Sequence, residues 1–250
     1  MNYEEILKKY VMVYDHHTHT TYSHGTGSIM DNVRIAHEKG LESIAITDHG
    51  PGNFLYGMKM DKVPEMRRDI AEAMEAYPDV KVLLGVEANT LLKAPYVDLK
   101  DEDWGKLDIV LAGYHFAVMH AGMVENRMGI KSRKLLLRNT DMIVNAIYHS
   151  ETRGHHIEVV THPGDKGPFD IDEIARACED TGTLMEINVK HPHLSVEEIK
   201  TAMKHDVKFI ISSDAHVPEN VGTFEPQLLR ALQAGLDPER IVNIRLRQGE

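Results

Sequence analysis

Histidines are concentrated near the start of the chain, where residues 12–25 have the sequence MVYDHHTHTTYSHG and contain four of them. His17 and His19 are two positions apart, and side chains at that spacing in an extended segment point the same way. His16 is out of phase with both and is expected to point elsewhere. Two imidazoles on one side of a strand are suited to bind a metal ion, and the alternative is a loop of solvated histidines.

Residues of the same types recur at the ends of short apolar runs along the whole chain. Six of seven such runs lead into a histidine or a carboxylate, and the seventh ends at Asn188. A solvated histidine loop does not explain positions spread over two hundred residues. Imidazoles and carboxylates without thiolates suit zinc, manganese or iron. The residues after the six runs are His17 and His19, Asp48 and His49, Glu87, His115, His162, and Asp214 with His216.

The elements that must position these residues alternate between strands and helices, which predicts parallel βαβ units in an α/β fold. In a parallel barrel the active site forms at the carboxyl ends of the strands, so the residues above would meet. The glycine-rich phosphate loops of open-sheet nucleotide binders are missing from the sequence, which favours a barrel. Strands are predicted at residues 11–14, 43–47, 81–86, 108–113, 159–161, 184–188 and 208–212. Helices are predicted at residues 1–11, 29–39, 65–77, 139–149, 171–180, 195–205 and 225–234.

Composition excludes several classes of protein. The 250 residues carry a net charge of −11, which argues against an extended nucleic-acid surface. The single cysteine, Cys178, permits neither an internal disulfide nor a thiolate metal cluster, and a reducing, cytoplasmic location is the default expectation. The apolar runs are too short to span a membrane. No linker or repeat divides the chain, so one domain over residues 1–250 is expected.

Six motifs occur in an order that resembles the PHP (polymerase and histidinol phosphatase) family of metal-dependent phosphoesterases. The resemblance is closest to bacterial single-domain PHP phosphatases, which hold three zinc ions in a distorted (β/α)7 TIM-like barrel. It covers nearly the whole chain and implies the same fold and metal content here, with manganese or iron as alternatives to zinc. The motifs are DHHTHT, ITDHG, GVEAN, AGYH, THPG and SSDAH.

The resemblance also implies a set of nine metal ligands in three groups. Glu87 would belong to both the first group and the second, and so it would bridge two metals. His24 is the member whose spacing departs from the family, being about one residue closer to His19. The implied ligands are His17, His19, Glu87 and Asp214 for the first metal, Glu87, His115 and His162 for the second, and His24, His49 and His216 for the third.

Two or three divalent ions a few ångströms apart are suited to hydrolyse a phosphate ester. They polarise phosphate oxygens, and a hydroxide bridging the first two metals is the expected nucleophile. Glu87 and Asp214 would be catalytic as ligands of these metals. The leaving group needs a proton donor, for which a metal-bound water or His191 is a candidate. His120 and His193 also lie in loops on the expected side of the barrel.

Substrate contacts are expected at the rim of the site. Asn188 and Lys190 follow the strand that supplies no metal ligand, and Lys190 could bind a phosphate oxygen or simply be solvated. The segment 123–138, MVENRMGIKSRKLLLR, is basic in an acidic protein, and it either binds phosphate or forms a solvated helix start. Its candidate contacts are Arg127, Lys131 and Arg133. Residues 50–64, GPGNFLYGMKMDKVP, have the composition of a lid.

The favoured function is a phosphatase acting on a small-molecule phosphate ester. A histidinol-phosphate phosphatase or a phosphodiesterase of the same family is the nearest alternative. An amidohydrolase-type enzyme, whose barrel also begins with an HxH pair, and a non-catalytic metal-storing or metal-sensing module are more distant ones. The physiological substrate, the metal used and the oligomeric state stay open.

Overall fold

A parallel sheet of seven strands forms the framework of the protein. The computed structural model describes residues 5, 7–116, 118 and 123–247. The seven strands are neighbours in the order in which they follow one another along the chain, and every pairing between them is parallel. They are β2 (Tyr14–Thr18), β3 (Ser43–Ile46), β4 (Lys81–Asn89), β5 (Ile109–Gly113), β6 (Val159–Val160), β7 (Leu184–Asn188) and β8 (Phe209–Ser212).

Helices connect successive strands, as the alternating pattern predicts. Ser28 and Asp31 form the expected capping box at the start of the first helix. The described helices are α1 (Ile29–Glu38), α2 (Val63–Ala76), α3 (Asp101–Trp104), α4 (Met123–Arg127), α5 (Arg133–Thr152), α6 (Ile171–Thr181), α7 (Val196–Ala202) and α8 (Glu225–Ala234). Short 3-10 helices are found at Met60–Lys62, Pro218–Asn220 and Pro238–Arg240.

The start of the chain differs from the sequence-based prediction. Tyr10–Met12 forms a strand, β1, which pairs antiparallel with β9 (Ile244–Leu246) outside the main sheet. The predicted helix at residues 1–11 is therefore wrong at its end, and its residues 1–4 and 6 lie outside the described part of the chain. The predicted first strand at 11–14 falls across two real ones, because β2 continues through polar residues that become buried only when the barrel closes.

The sheet closes into a barrel where β2 meets β8. Thr18 and Ala215 form a parallel bridge, and the amide of His19 donates to the carbonyl of Ala215 over 2.8 Å. At Tyr14 of β2 and Ile211 of β8, the buried side chain of Asn243 takes the place of pairing between the two strands. Its Nδ2 donates to the carbonyls of Tyr14 (2.8 Å) and Ile211 (2.7 Å), and its Oδ1 accepts from the Ile211 amide (3.0 Å). Asn243 therefore satisfies backbone groups that two diverging strands leave free.

Apolar side chains fill both faces of the sheet. The larger cluster lies between the sheet and the helices, and a smaller one lies on the inner face. Leu111 is in register with Glu87 on β4 and with Val159 on β6, so these residues share that inner face. The polar ends of the strands therefore rest on an apolar interior. Within the described residues, no helix is both long and apolar enough to cross a membrane.

Replacing Asn243 should destabilise the barrel. Asn243→Ala removes the side chain that bonds three backbone groups, of which the two of Ile211 are buried, and we expect a loss of about 2–4 kcal/mol in the free energy of unfolding. Urea unfolding with a chelator present measures this without a contribution from metal binding. Asn220→Ala, at an exposed position, is the control and should change the free energy by less than about 0.5 kcal/mol. Equal stability of both variants would contradict the role given to Asn243 in closure.

Candidate functional site

Four potential ligand atoms converge at the carboxyl ends of β2, β4 and β8. The Nε2 atoms of His17 and His19 are 3.1 Å apart. Oε2 of Glu87 lies 3.4 Å from the first and 3.7 Å from the second. Oδ1 of Asp214 lies 3.7 Å and 3.1 Å from the same two nitrogens. Ligands about 2.05 Å from a tetrahedral zinc ion are about 3.3 Å apart, so these atoms have the spacing of one coordination sphere.

Glu87 presents its two carboxylate oxygens to different groups of imidazoles. Oε2 faces His17 and His19, as described above. Oε1 lies 3.2 Å from Nε2 of His115 and 2.9 Å from Nε2 of His162. The hydroxyl of Thr161 donates to the same Oε1 over 2.7 Å, which fixes the orientation of the carboxylate. A carboxylate held in this way can bridge two cations, whereas an imidazole with one nitrogen engaged cannot.

A third group of histidines lies next to the first. The ring of His24 is 4.7 Å from that of His49 and 4.1 Å from that of His216, measured between centroids. Ligand atoms of His19, His49 and His216 also lie within 4.8 Å of one another, which is close enough for a shared ion. His24 is placed by a loop that Asp48 holds, since Thr20 and Ser23 both donate to the buried carboxylate of Asp48.

The three groups together are called the cluster, and several of its buried atoms lack a hydrogen bond. The cluster comprises His17, His19, His24, His49, Glu87, His115, His162, Asp214 and His216. Nδ1 of His49 and Oε2 of Glu87 are 2.9 Å apart but are not oriented to form one, and Nδ1 of His19 has no hydrogen-bond partner either. Buried polar atoms in native proteins are normally satisfied, so such atoms point to an unfilled requirement. Ligand atoms that face cations approach each other in this manner without a hydrogen bond between them. The residues present therefore fit a divalent metal.

The protonation states of Glu87, His115 and His216 are those that metal binding requires. Although burial alone would raise the pKa of Glu87, the charges of His115, His17 and His49 hold it well below its usual value. Burial lowers the pKa of His115 to about 3. Burial also lowers the pKa of His216, to about 4. Ionised carboxylates beside neutral imidazoles can coordinate a cation without first losing protons. His17 differs, because burial alone would lower its pKa but the carboxylates of Glu186, Glu87 and Asp214 outweigh burial and raise that pKa well above the usual value, so His17 must lose a proton to bind a metal.

Glu186 on β7 is a buried carboxylate that the sequence analysis did not identify. Its Oε1 lies 2.6 Å from Nδ1 of His17, and its Oε2 accepts from the backbone amide of His162 over 2.7 Å. A carboxylate on the far nitrogen of a metal-binding histidine fixes the ring and its tautomer. The available signal was a lone acidic residue inside the apolar run LMEIN, two positions before Asn188.

His16 and His17 diverge, as predicted. The register between β2 and β3 shifts between Asp15 and Thr18, and the two histidines lie at this irregularity. Nε2 of His16 hydrogen-bonds with Oγ of Ser43 (3.1 Å) instead of joining the cluster. Burial lowers its pKa to about 4. Strand alternation thus separates the two side chains, and the irregularity in register lies at the same place.

Two of the clustered residues have left-handed backbone conformations. The φ angles are +50° for Asp214 and +31° for His162, a region that residues other than glycine rarely occupy. Asp15 supports the first of them, because its buried carboxylate accepts from the amide and the hydroxyl of Ser213. Strain of this kind persists where surrounding contacts fix the backbone, and it is concentrated at functional sites.

His191 lies at the open side of the cluster. Its Nε2 is 3.4 Å from Oδ2 of Asp214, and its Nδ1 is 3.1 Å from Oδ2 of Asp165. Burial would lower the pKa of His191, but hydrogen bonds to Asp165 and Asp214 raise it. Ligand atoms of His162, His191 and Asp214 also lie within 4.8 Å of one another. The geometry is thus compatible with a proton donor or with a further metal ligand.

Asn188 and Lys190 occupy different positions relative to the cluster. Asn188 is fully buried, and its amide donates to Glu186 (2.9 Å) and Asp214 (3.3 Å) while accepting from the Lys190 amide (2.8 Å). Its side chain therefore positions other residues and is not free to contact a substrate. Nζ of Lys190 is 3.1 Å from Nδ1 of His216, at the opening of the site.

The basic side chains of the segment 123–138 lie in different surroundings. Lys131 lines a cavity next to the loop that follows β6. Arg133 lines another cavity, with Leu92 and Tyr96, none of whose lining residues belongs to the cluster. Arg127 is exposed and lines neither cavity.

Other rim residues are close to the cluster or outside the described residues. Tyr56, from the segment predicted as a lid, lies with its ring 4.2 Å from that of His24. His193 is paired with Glu198 over 2.8 Å. His120 lies outside the described residues.

The chain is similar in sequence to probable phosphatases, and it shares its fold with a solved structure. A probable phosphatase of Thermoanaerobacter sp. (strain X514) is 31% identical over 247 residues, covering 93% of this chain and 90% of the relative. A probable phosphatase of Caldanaerobacter subterraneus is 32% identical, with 92% and 86% covered. The solved histidinol phosphate phosphatase of Lactococcus lactis, in complex with zinc, L-histidinol and phosphate, superposes with a TM-score of 0.62 at 16% identity. It covers 90% of this chain and 95% of its own, which shows a shared fold.

The family assignment follows from the extent of these similarities. The PHP domain matches residues 15–190, which is more than half of the chain and includes seven of the nine expected ligands. Together with the relatives above 30% identity, this match shows that the chain belongs to the PHP domain family and is a metal-dependent phosphoesterase.

Proposed function

We propose that the chain is a phosphatase that hydrolyses a small-molecule phosphate ester with three divalent metal ions. The observation that carries the proposal is the position of Glu87, whose two oxygens face separate groups of imidazoles. Zinc is the first candidate because the ligands are imidazole and carboxylate at tetrahedral spacing, and manganese or iron is also compatible. We also propose that residues 1–250 form one domain.

The ligand assignment in this proposal follows the three groups. The first metal would be held by His17, His19, Glu87 and Asp214, with Glu186 orienting His17. The remaining imidazoles would be divided between the second metal and the third. They are His115 and His162, together with Glu87, for the second metal, and His24, His49 and His216 for the third.

When bound, the metals supply Lewis acidity, polarising phosphate oxygens and activating water for in-line attack. The chain's own residues set up that reaction. Glu87 would place anionic charge between cations that would otherwise repel, and Asp214 would add a second anionic ligand to the first metal. Asn188 keeps the carboxylates of Glu186 and Asp214 in place. Lys190, at the opening beside His216, is positioned to bind a phosphate oxygen.

In this proposal His191 donates the proton that the leaving alcohol needs. Asp165 holds its Nδ1, so the proton for donation is carried on Nε2, which faces Asp214 and the cluster. Aryl leaving groups are stable as anions and need no donor, whereas alkyl alcohols do. No side chain needs to act as a nucleophile, and Cys178 is buried away from the cluster.

The proposal predicts the metal content and the substrate class of the purified protein. Elemental analysis should find about three divalent metals per chain, because nine ligands are enough for three open sites. The loaded protein should hydrolyse phosphate monoesters and should leave cyclic amides intact. One metal or fewer, hydrolysis of cyclic amides only, or no hydrolysis of any phosphate ester would contradict the proposal.

Glu87→Gln should separate bridging from a structural role. The amide keeps the size of the side chain but removes the charge that allows two dications to lie close together. We expect loss of about two of three metals and a fall in turnover of at least about a hundredfold, since even the loss of an outer partner costs ~10–100-fold. His16→Ala, at a partly buried histidine outside the cluster, is the control and should retain its metals. Full metal content and near-normal turnover in Glu87→Gln would refute the bridge.

His191→Gln tests the proton donor. The variant should retain its metals and hydrolyse p-nitrophenyl phosphate at nearly the normal rate. Its kcat on an alkyl phosphate should fall by about 10²–10⁴-fold, which is the usual contribution of a general acid. Loss of metal would identify His191 as a ligand instead, and equal losses on the aryl and alkyl esters would exclude proton donation.

A further inference from the structure

A cavity of about 400 Å³ lies beside the metal cluster, and the proposed reaction does not yet use it. The loop that follows β6 contributes residues to both. His162, at the start of this loop, faces Glu87 in the cluster. Gly164 and the stretch 166–169, a few residues later, line the cavity. The volume falls at the small end of the range of about 300–1,000 Å³ that is typical of small-molecule sites.

The shape of this loop is fixed by its contacts. Gly164 has a φ of +100°, and a Cβ at this position would lie 2.8 Å from Nδ1 of His193. Lys166 also has a positive φ, +65°, which is unusual for a residue other than glycine. The backbone amide of His162 is bound to Glu186. The loop is therefore anchored at His162 and packs closely against His193 in the cavity lining, and this conformation sets the position of Lys166.

Lys166 is close to both the cluster and the cavity. It lines the cavity, and its side chain is 21% exposed. Nζ of Lys166 lies 3.1 Å from Oδ2 of Asp165. That carboxylate also faces His191, so it does not fully neutralise the lysine.

The other charges of the cavity leave it with a positive character. Glu198 is compensated, because it accepts from His193 (2.8 Å) and from the backbone amide of Ser195 (2.7 Å). Lys131 is exposed and adds a second cation to the lining. Phe169 contributes an apolar surface and packs edge-to-face against Tyr114. A small organic group with an anionic substituent fits this combination of surfaces.

We propose that this cavity binds the alcohol portion of the phosphate ester and that Lys166 binds a second anionic group on it. The preferred substrates are then small phosphate monoesters that carry a carboxylate or a second phosphate. The inference depends on the proposed phosphatase activity, since it names the substrate class of that site. Lys166 acts on binding, so its effect belongs in KM and not in the chemical step.

Matched substrate pairs test the inference on the metal-loaded protein. 3-Phosphoglycerate and glycerol 3-phosphate differ only by a carboxylate in place of a hydroxymethyl group. Fructose 1,6-bisphosphate and fructose 6-phosphate differ by a second phosphate, so the two pairs distinguish the two anions. We expect kcat/KM to favour the anionic member of at least one pair by about tenfold or more, as a charge-assisted contact of ~1.5 kcal/mol would give.

Substitution of Lys166 should remove that preference. Lys166→Met should reduce the ratio to less than about threefold through KM, leaving kcat on glycerol 3-phosphate nearly unchanged, since the lost contact is made in binding. Lys166→Arg should restore the preference. Lys134→Met, which removes an exposed charge at the other cavity, is the matched control and should behave as the parent protein. If Lys166→Met does not fold or loses metal, Lys166→Gln, which keeps a polar side chain but removes the charge, decides by the same ratio, because a lowered ratio supports the inference and an unchanged ratio overturns it.

Other outcomes would also overturn the inference. They are a ratio near one in the parent protein, a ratio unaffected by Lys166→Met, or a preference for the cationic ester L-histidinol phosphate. Each of these requires an active phosphatase. A protein that hydrolyses neither these esters nor p-nitrophenyl phosphate would instead refute the proposed function, so the two failures are distinguishable.

Discussion

The burial of one carboxylate among imidazoles is the constraint on which the rest of the structure depends. Glu87 is fully buried, and an isolated buried carboxylate costs several kcal/mol unless cationic or hydrogen-bonding partners compensate it. Its partners come from β2, the β3–α2 connection and the loops after β5 and β6, all at the same end of the sheet. Parallel strands bring such residues together only if the sheet curls until β2 reaches β8. The hydrogen bonds of Asn243 therefore support the site as well as the fold.

The same constraint restricts the small residues around the cluster. Gly113 ends β5 beside Glu87, and a Cβ at this position would lie 2.2 Å from Oγ1 of Thr161. Thr161 cannot move away without losing its hydrogen bond to Oε1 of Glu87, so any side chain at residue 113 disturbs the carboxylate. Asp15 and Asp48 have similar roles at a greater distance, since each holds a loop that carries a clustered residue. Much of the buried polar network thus fixes orientation instead of binding metal itself.

Sequence patterns predict the strand ends well because residue type and position there are local properties. The run KVLLGV followed by Glu87 is recognisable without knowledge of the fold. Asn243 gives no such signal, because its partners lie about thirty and more than two hundred residues away and no periodicity links them. Glu186 is hidden within a strand whose other members are apolar or amide side chains. The extent of β2 also depends on burial by distant elements, and local propensity cannot show that.

The loop after β6 shows how one connection can serve two chemical tasks. Its first residue, His162, is held by Glu186 and faces the cluster, where small displacements would change the spacing between ligands. Four residues later, Lys166 lines the cavity and is partly exposed, so its side chain can change without moving that anchor. Residues on rigid strand ends fix the reacting groups, and residues on the loops can adjust what is bound. Substrate preference can therefore vary among barrels of this kind while the metal-binding end stays the same.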